Sequence, residues 1–370
     1  MILLAAIAVL AWMYLALLHG TFWQAGPVLA PARPVAAPAV DVVVPARDEA
    51  DVIAASLGSL LAQDYAGTFH VTLVDDGSAD GTGEVARALG DARLTVLESA
   101  PRPGGWAGKL WAVHQGVAAT RAPWVLLTDA DIVHDPAHLS ALVAQAEHSG
   151  ADLVSEMVEL ACVSRAERWL VPAFVYFFQL LYPFARVNDP KSRVAAAAGG
   201  TMLVRRAALE RIGGIEAIRG ALIDDVALAQ AIKRGGPIWL GHSALACSVR
   251  PYPGFADIWR MVARSAYVQL RYSPLLLLGT LLGLGLLFVV PPAATLVGHG
   301  PARWLGLFAW AVMTATLLPT LRRFRLSPLR ALLLPAMAVF YMAATFGSAL
   351  DHHRGRGVVW KRRAYTEREA

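Results

Sequence analysis

Two aspartates, Asp129 and Asp131, lie just after the apolar segment 124–127. The segment is typical of a short buried strand, and in an extended chain a two-residue spacing points both side chains to the same side. Two carboxylates in one small volume repel each other unless a cation lies between them. Mg²⁺ and Mn²⁺ take oxygen ligands, commonly one or two carboxylates together with phosphate oxygens. The pattern therefore indicates a metal-bound diphosphate, although an Asp-x-Asp after a strand is more often a turn or helix cap.

Strands and helices alternate around this segment. The predicted strands are 40–44, 69–74, 94–97 and 124–127, and the predicted helices are 51–63, 83–89, 111–120 and 226–233. This alternation predicts βαβ units and a parallel sheet. In such sheets ligands bind beyond the carboxyl ends of the strands.

Five acidic side chains follow the ends of predicted strands, and two basic side chains lie near them in the sequence. The acidic residues are Glu49, Asp75, Asp76, Asp129 and Asp131, and the basic ones are Arg47 and Lys109. Each acid taken alone is typical of an ordinary turn or helix cap. Gathered on one edge they need compensating charge, which the basic side chains and a nucleotide diphosphate with its divalent cation would supply.

The composition is that of a membrane protein. Hydrophobic residues make up 56% of the 370 residues and charged residues only 16%, and the mean hydropathy is +0.48, which is too apolar for an ordinary soluble enzyme. The formal net charge is +5, and its arginine-rich patches near apolar runs suit a membrane surface better than nucleic acid. Cys162 and Cys247 are expected to be reduced core residues, because two cysteines form neither a disulfide framework nor a metal site.

Apolar segments flank a central α/β domain. Residues 1–20 predict a transmembrane anchor that is not cleaved, because no basic residue precedes the apolar run as it does in a signal peptide. The predicted segments after it are a proline-rich linker at 21–39, the central domain at 40–250, an interfacial amphipathic helix at 251–273, transmembrane helices within 274–350, and a basic tail at 351–370. The three membrane helices are expected at 275–290, 304–318 and 332–350.

Within the central domain, residues 168–184 form a further apolar run. Pro172 and Pro183 interrupt it, and it is short for a membrane span. It predicts a surface element that dips into lipid, with a buried core helix as the alternative.

The basic residues near the last two membrane segments give conflicting indications of topology. The loop between these segments carries Arg322, Arg323, Arg325 and Arg330, so it should lie in the cytoplasm. Parity then places the tail outside, whereas the basic residues of the tail favour the inside; a re-entrant segment would reconcile the two. We expect a multi-pass protein of the cell inner (plasma) membrane, with its central domain in the cytoplasm.

An ordered set of motifs resembles the family 2 glycosyltransferases of the GT-A fold, a Rossmann-like nucleotide-diphospho-sugar transferase domain. The motifs are Pro45-Ala-Arg-Asp-Glu49, Val74-Asp-Asp-Gly-Ser78, Gly108-Lys-Leu-Trp111, Thr128-Asp-Ala-Asp131, Gly199-Gly-Thr-Met202 and Ile223-Asp-Asp-Val226. The resemblance covers roughly residues 40–265. Segments such as Tyr182-Pro-Phe184 and Arg250-Pro-Tyr-Pro253 are most similar to the hopanoid-biosynthesis-associated (hopene-associated) glycosyltransferases, which are related to ceramide-glucosyltransferase-like enzymes.

The resemblance implies a role for each motif residue in an inverting, metal-dependent sugar transfer to a lipid. The implied donor-binding residues are Pro45, Arg47, Glu49, Asp75, Asp76, Lys109 and Asp129, for a nucleotide sugar of which a UDP-sugar is the first candidate. Asp131 and Asp129 would hold Mg²⁺ or Mn²⁺. Asp225 would be the general base, with Asp224 orienting it or the metal. Gly199, Gly200 and Arg264 would lie on the acceptor side.

Two departures from the family pattern bear on these roles. Asp224 stands where the family often has glutamate, which is a mild change. Ser265 follows Arg264 where tryptophan is usual, which counts against a processive polysaccharide synthase. The sequence also leaves open a sugar nucleotidyltransferase and a catalytically inactive membrane scaffold. The scattered histidines His114, His134, His138 and His148 are interpreted as ordinary surface or core residues.

Overall fold

The computed structural model describes residues 1–355, 358–360 and 363–365. Arg356, Lys361 and Arg362 of the predicted basic tail lie outside the described residues. The chain divides into two compact units. The helical unit comprises Met1–Gly26, Cys162–Ala185 and the described part of Pro251–Val359; the sheet unit comprises Pro27–Ala161, Arg186–Arg250 and the described residues from Trp360 on. The predicted domain boundaries stay predictions.

The described residues include ten strands and fourteen α-helices. The strands are β1 (Val40–Ala46), β2 (Phe69–Asp75), β3 (Leu94–Glu98), β4 (Trp124–Thr128), β5 (Ile132–His134), β6 (Leu153–Glu159), β7 (Thr201–Arg205), β8 (Ile238–Ser248), β9 (Val358–Trp360) and β10 (Arg363–Tyr365). The helices are α1 (Ile2–Leu18), α2 (Ala50–Leu61), α3 (Thr82–Arg87), α4 (Gly108–Ala118), α5 (His138–Ser149), α6 (Arg165–Leu181), α7 (Phe184–Asn188), α8 (Arg206–Arg211), α9 (Asp224–Lys233), α10 (Phe255–Gln269), α11 (Pro274–Leu284), α12 (Val290–Val297), α13 (Pro301–Arg323) and α14 (Leu334–His353).

An eight-stranded sheet in the order β3-β2-β1-β4-β7-β6-β8-β5 forms the centre of the sheet unit. The four predicted strands are confirmed and run parallel as β3, β2, β1 and β4. The expectation of a wholly parallel sheet is wrong, because β7 is antiparallel to both β4 and β6, and β5 is antiparallel to β8. An antiparallel strand begins where its neighbour ends, so β7 starts at the sheet edge where β4 stops, with Thr201 opposite Thr128.

Burial on both faces fixes the first strands of this sheet. Val42, Val43 and Val44 of β1 are each at most 1% exposed, as expected for parallel strands covered by helices on both sides. On one face α2 buries Ile53 and Leu57, which lie one turn apart on its apolar side. On the other face α4 approaches β1 closely at Gly116, where a Cβ atom would collide with Val43. The sequence periodicity thus positions the strand ends that carry the acidic motifs.

Three helical segments of the helical unit are long and apolar enough to cross a membrane. They are Pro274–Val297, Pro301–Arg323 and Pro328–His353, with 24, 23 and 26 residues. The first contains a π-helical turn at Gly285–Val289, next to Pro291 and Pro292, which have no N–H to donate. The predicted apolar segments at 275–290, 304–318 and 332–350 fall inside these three helices, which are longer than the sequence pattern indicated.

The predicted anchor is a shorter helix. α1 has 17 residues, about 25 Å of helix at 1.5 Å per residue, against a hydrocarbon core of about 30 Å. It lies outside the three spans that length and composition select, so its role as an anchor stays a prediction. Residues 168–181 of the apolar run at 168–184 belong to the continuous helix α6, and Pro172 lies inside this helix rather than ending it. Pro183 lies between the end of α6 and the start of α7. A reciprocal capping box between Ser164 and Glu167 supports the start of α6.

Deletion of residues 1–19 should leave the protein in the membrane fraction, because the three long apolar segments remain. Some loss of thermal stability is expected, since the indole N–H of Trp12 on α1 donates to the carbonyl oxygen of Leu287 at 2.8 Å. The measurement is the partition of the truncated and full-length chains between sedimented membranes and supernatant. Recovery of the truncated chain in the supernatant without detergent would contradict membrane insertion by residues 274–353.

Candidate active site

Lys109 joins two aspartates that lie on different elements of the sheet unit. It lies in the first turn of α4, and its Nζ is 2.8 Å from Oδ1 of Asp129 and 2.9 Å from Oδ2 of Asp224. Burial alone would lower the pKa of Lys109, but the two carboxylates raise that pKa above its ordinary value. A cation at a helix N-terminus is unfavourable unless anions lie close by. The structure therefore brings the predicted donor-side Asp129 and Asp224 of the predicted catalytic pair onto one ammonium group.

Asp225 lies in an environment typical of a catalytic carboxylate. It stands in the first turn of α9, where its Oδ1 accepts a hydrogen bond from the backbone N–H of Val226 at 2.7 Å. Burial, and then the negative charge of Asp224, raise the pKa of Asp225 to about 7. Carboxylates whose pKa approaches the operating pH are suited to general-base catalysis. Its surroundings thus bring the pKa of the predicted base close to neutral pH.

Arg250 bridges two further acids that the sequence predicted for the site. Its Nη2 is 2.6 Å from Oε1 of Glu49, and its Nε is 2.7 Å from Oδ2 of Asp131. Burial alone would lower the pKa of Arg250, but Asp131 and Glu49 raise that pKa above its ordinary value. The antiparallel pairing of β5 with β8, in which Ile132 lies opposite Ser248, brings the end of β8 to the Asp-Ala-Asp turn.

Sequence reasoning did not identify Arg250 as a site residue. It appeared only within the Arg250-Pro-Tyr-Pro253 segment of the resemblance, and Glu49 is 201 positions away in the chain. An isolated arginine after a strand has no spacing that would connect it with acids so distant. Its position at the end of a strand was the one available signal.

Arg47 and Asp76 form a second ion pair at the same edge of the sheet. Nη1 of Arg47 is 3.6 Å from Oδ2 of Asp76 and also donates to the backbone carbonyl oxygen of Asp76. Asp76 is 4% exposed, so this ion pair is buried. The motif alone was also compatible with an exposed ion pair, which would contribute little to stability. Asp75 differs, because its Oδ1 accepts from the backbone N–H of Ser78 at 2.9 Å and from the hydroxyl of Ser78 at 2.6 Å. That oxygen closes a turn, as expected from its residue type.

The glycine pair before β7 connects Asp129 with Asp225. The carbonyl oxygen of Gly200 accepts from the Thr128 hydroxyl at 2.8 Å and from the backbone N–H of Asp129 at 3.3 Å. A Cβ atom on Gly199 would lie 3.2 Å from Oδ2 of Asp225. The absence of a side chain at Gly199 thus keeps the space beside the predicted base open.

A narrow cleft runs between these groups. Its lining includes Pro45, Lys109, Asp129, Gly199 and Asp224, and apolar side chains such as those of Met202 and Leu228 complete it. The predicted acceptor-side residue Arg264 lies on α10, in the helical unit. Its assignment to the acceptor stays a prediction.

The predicted metal ligands Asp129 and Asp131 are close enough for the charge of Asp131 to raise the pKa of Asp129, an effect that adds to that of burial. Each of them is neutralised by a basic side chain, Lys109 or Arg250. Among the residues that the structure describes, no three His, Cys, Asp or Glu side chains are arranged to hold a metal ion by themselves. Two adjacent carboxylates fit the protein's share of a Mg²⁺ or Mn²⁺ site whose other ligands are phosphate oxygens.

Comparison with known proteins assigns this region. Residues 41–213 match the family model described as glycosyl transferase family 2. This stretch is a glycosyltransferase family 2 domain. It contains the acidic motifs of β1, β2 and β4, Lys109 and the glycine pair, whereas Asp224, Asp225 and Arg250 follow it in the chain.

Two curated relatives match the chain over shorter stretches. The succinoglycan biosynthesis protein ExoO of Rhizobium meliloti (strain 1021) is 33% identical over 143 residues, which are 35% of this chain and 39% of that protein. The succinoglycan biosynthesis protein ExoU of the same organism is 31% identical over 122 residues, 32% of this chain and 33% of that protein. The chain thus spans well under half the length of these relatives.

A solved structure matches nearly the whole chain. It is a mannosyltransferase from Pyrobaculum calidifontis in complex with GDP-Man and Mn²⁺, with a TM-score of 0.59 and 23% sequence identity. The match covers 94% of this chain and 98% of that one. Together with the domain match, this similarity confirms the predicted GT-A fold with apolar C-terminal helices.

Proposed function

We propose that this chain is a membrane-bound glycosyltransferase that moves a sugar from a nucleotide-diphosphate sugar to a lipid acceptor, with inversion at the anomeric carbon. The observation that carries the proposal is the Lys109 bridge, because one ammonium group holds Asp129 on the predicted donor side and Asp224 beside the predicted base. Donor and base groups separated by about a hundred residues in sequence therefore share one charge cluster. The family 2 domain supports the same reaction class.

The ion pairs of the site suggest how a donor would be held. Arg47 and Asp76 lie where the resemblance places the nucleoside, with Pro45 in the cleft beside them. The negative charges of a diphosphate would offer Lys109 and Arg250 new partners and so free Asp129 and Asp131 for an ion. Mg²⁺ or Mn²⁺ bound there would neutralise charge on the departing diphosphate. The Mn²⁺ and GDP-Man in the mannosyltransferase structure support a metal and a nucleotide sugar as ligands.

Asp225 would act on the acceptor. Its carboxylate takes the proton of the acceptor hydroxyl, while that oxygen forms a bond to the anomeric carbon of the sugar. The bond from the anomeric carbon to the diphosphate oxygen breaks, and the nucleoside diphosphate leaves with the electron pair. A single displacement of this kind inverts the configuration at the anomeric carbon. Because Gly199 has no side chain, nothing from this position would crowd the Asp225 carboxylate as the acceptor hydroxyl approaches.

The acceptor is proposed to be a lipid that reaches the site at the cytoplasmic face of the inner membrane. Three helical segments with the length and composition of membrane spans support this, as does the amphipathic helix α10 with its interleaved arginines. A hopanoid-type lipid is the acceptor class that the sequence resemblance implies.

The names of the curated relatives favour a second candidate, transfer to a growing polysaccharide. Both relatives are succinoglycan biosynthesis proteins, matched over about a third of this chain. Ser265, at the position where the family's processive members have tryptophan, counts against a processive synthase.

One experiment separates these candidates. Membranes containing the chain are incubated with a panel of radiolabelled nucleotide sugars and extracted with organic solvent. Label in a lipid that is absent when the Asp225→Asn variant replaces the wild type supports the lipid acceptor. Label that remains in the aqueous, high-molecular-weight fraction favours the polysaccharide, and no incorporation with any donor contradicts the proposed function.

The rate of transfer should rise with pH around neutrality. The pKa of Asp225 is raised to about 7, and only the ionised carboxylate takes a proton from the acceptor. Below that pH the rate should fall about tenfold per pH unit, since the ionised fraction falls in that proportion. The measurement is kcat against pH at saturating donor and acceptor. A profile that stays flat well below pH 7 would assign the base to a group with an ordinary carboxylate pKa.

Arg250→Gln should strengthen the binding of Mn²⁺ in the absence of nucleotide by about tenfold, about 1.4 kcal/mol. The substitution removes the guanidinium group that neutralises Asp131 and Glu49, so these carboxylates are available to the ion. Free Mn²⁺ is measured by electron paramagnetic resonance. Arg211→Gln is the matched control, because Arg211 pairs with Asp152 at 2.7 Å outside the site. Weaker Mn²⁺ binding by Arg250→Gln than by the control would show that Arg250 supports the ion rather than competing with it.

A further inference from the structure

A chain of buried polar side chains lies beneath the active-site edge of the sheet unit. It runs from Glu156 on β6 through His138 on α5 and His134 on β5 to Thr128 on β4. All four side chains are at most 3% exposed. His134, His138 and Glu156 have no part in the donor and acceptor roles proposed above. These histidines were interpreted as ordinary surface or core residues, and the structure places His134 and His138 in contact.

The distances define one continuous path. Oε1 of Glu156 is 2.5 Å from Nε2 of His138. Nδ1 of His138 is 2.9 Å from Nδ1 of His134, and Nε2 of His134 is 3.3 Å from the hydroxyl oxygen of Thr128. The path ends at the carbonyl oxygen of Gly200, to which the Thr128 hydroxyl donates at 2.8 Å.

The single proton of the Thr128 hydroxyl, together with a neutral His134 ring, fixes the direction of the hydrogen bonds from Gly200 to His138. Because Thr128 donates that proton to Gly200, the contact with His134 requires Nε2–H of His134 to donate. Burial lowers the pKa of His134 well below its ordinary value, so its ring is neutral and its Nδ1 has no proton. Nδ1–H of His138 must therefore donate to His134. One further proton lies between His138 and Glu156, and the pair is neutral overall in either position of that proton.

This arrangement is energetically expensive for a purely structural element. A buried ion pair or its neutral equivalent gains little over apolar side chains of similar volume, and the replacement is often neutral or stabilising. Oε2 of Glu156 is also buried, and no hydrogen-bond partner for it is present among the described residues, which adds to the unfavourable free energy of desolvation. Such a buried polar chain is expected where the direction of its hydrogen bonds, or the position of the backbone that it holds, matters for function.

The end of the path is the point where donor and acceptor elements meet. The Gly200 carbonyl oxygen also accepts from the backbone N–H of Asp129, and the preceding Gly199 lies against Asp225. We propose that Glu156, His138 and His134 form a directional hydrogen-bond chain that, through Thr128, fixes the orientation of the Gly199–Gly200 segment against Asp225. They are positioning residues for the transfer step, and this inference rests on the proposed function.

The proton positions are tested without any assay of transfer. Full-length protein labelled with ¹⁵N-histidine is studied in detergent at neutral pH, with resonances assigned from single His134 and His138 variants. His134 should be a neutral ring with the proton on Nε2, and His138 should have a proton on Nδ1. A proton on Nδ1 of His134 reverses the chain and overturns the proposal.

The effect on catalysis is tested with an apolar replacement. The double variant His138→Phe with Glu156→Leu should keep or gain thermal stability. Its kcat should fall about 10-fold to 100-fold, because small displacements of reacting groups have effects of that size. The Kd for nucleoside diphosphate with Mn²⁺ should be unchanged, since the substitutions leave the proposed donor-side groups Lys109, Asp129, Asp131 and Arg250 in place. A folded double variant with the wild-type kcat overturns the proposal.

A conservative variant and a control complete the test. In Glu156→Gln the amide N–H can donate to Nε2 of His138 and leave the rest of the chain in its direction, so kcat should stay within a few-fold of wild type. Loss of kcat in this variant equal to that of the double variant would show that the charge of Glu156, and not the direction of the hydrogen bonds, matters, and would overturn the proposal. Tyr65→Phe removes a buried hydroxyl that donates to the Pro38 carbonyl oxygen, so it should lower stability without lowering kcat. If the wild-type chain transfers no sugar to any acceptor, the proposed function is contradicted. The spectroscopic measurement still tests the proton positions on His134 and His138.

Discussion

Asp225→Asn should lower the rate of sugar transfer by at least about 10²-fold, roughly 2.7 kcal/mol of activation free energy. The acceptor hydroxyl is a poor nucleophile at neutral pH, and an asparagine amide cannot take its proton. The affinity for the nucleotide sugar should not change, because Asp76, Asp129 and Asp131 provide the proposed donor contacts. Steady-state kinetics and direct nucleotide binding measure the two effects separately.

The stability of this variant provides an internal control. Asp225 has its folded-state pKa raised to about 7 from the ordinary 3.8, so its contribution to stability is present below the ordinary value and is lost as the pH rises through about 7. Asparagine does not ionise, and the variant should therefore be at least as stable as wild type above neutrality. A lost rate together with a lowered melting temperature would indicate disturbed folding.

Three outcomes would change the assignment of Asp225. A rate within a few-fold of wild type would move the base to another group, with Asp224 the first candidate. A simultaneous loss of nucleotide affinity would make Asp225 a donor ligand. Retention of the anomeric configuration in the wild-type product, measured from NMR coupling constants, would contradict a single displacement even if Asp225 were essential.

Asp131→Ala should abolish turnover, with a loss of about 10²–10³-fold or more, and should also weaken binding of the nucleoside diphosphate with Mn²⁺. The substitution removes a carboxylate that is 9% exposed and that is the proposed ligand of the ion. It also leaves Arg250 with Glu49 as its remaining partner in the bridge. Isothermal titration with and without Mn²⁺ measures the coupling between ion and nucleotide.

A surface aspartate provides the matched control for this variant. Asp64 forms an exposed ion pair with Arg33 at 3.1 Å, and such pairs contribute little to stability. Asp64→Ala should therefore retain both binding and turnover. Full activity of the wild type in excess EDTA would contradict the proposed metal dependence, and Mn²⁺-dependent nucleotide binding by Asp131→Ala equal to that of wild type would contradict the ligand assignment.

The sequence predicted those site residues whose positions follow from local spacing along the chain. Residues at strand ends follow from the strand positions, and parallel strands bring their carboxyl ends to one edge. For this reason Asp76, Asp129 and Glu49 were expected together, and each lies in an ion pair or a contact at that edge. Asp75 has the same sequence signal, yet one of its carboxylate oxygens closes a turn with Ser78. Residue type and spacing do not distinguish these two uses.

The long apolar segments were also largely determined by the sequence. Long apolar runs need no partner from elsewhere in the chain to be recognised, so the three C-terminal segments were located correctly. Their ends were less well defined, because helices continue past the apolar core into polar turns. Pro172 was expected to interrupt an apolar run, but packing and the capping box of α6 maintain a continuous helix.

By itself, the sequence determined the strand-end acids, the alternation of strands and helices, and the long apolar segments, because each depends on residues that are neighbours along the chain. Only the tertiary structure decided that β7 is antiparallel and begins beside Thr128 and that Arg250 reaches Glu49 and Asp131. It also decided that His134 meets His138 and that His138 meets Glu156. Such contacts depend on strand order and register. These are set by how the whole core packs, so no local pattern encodes them.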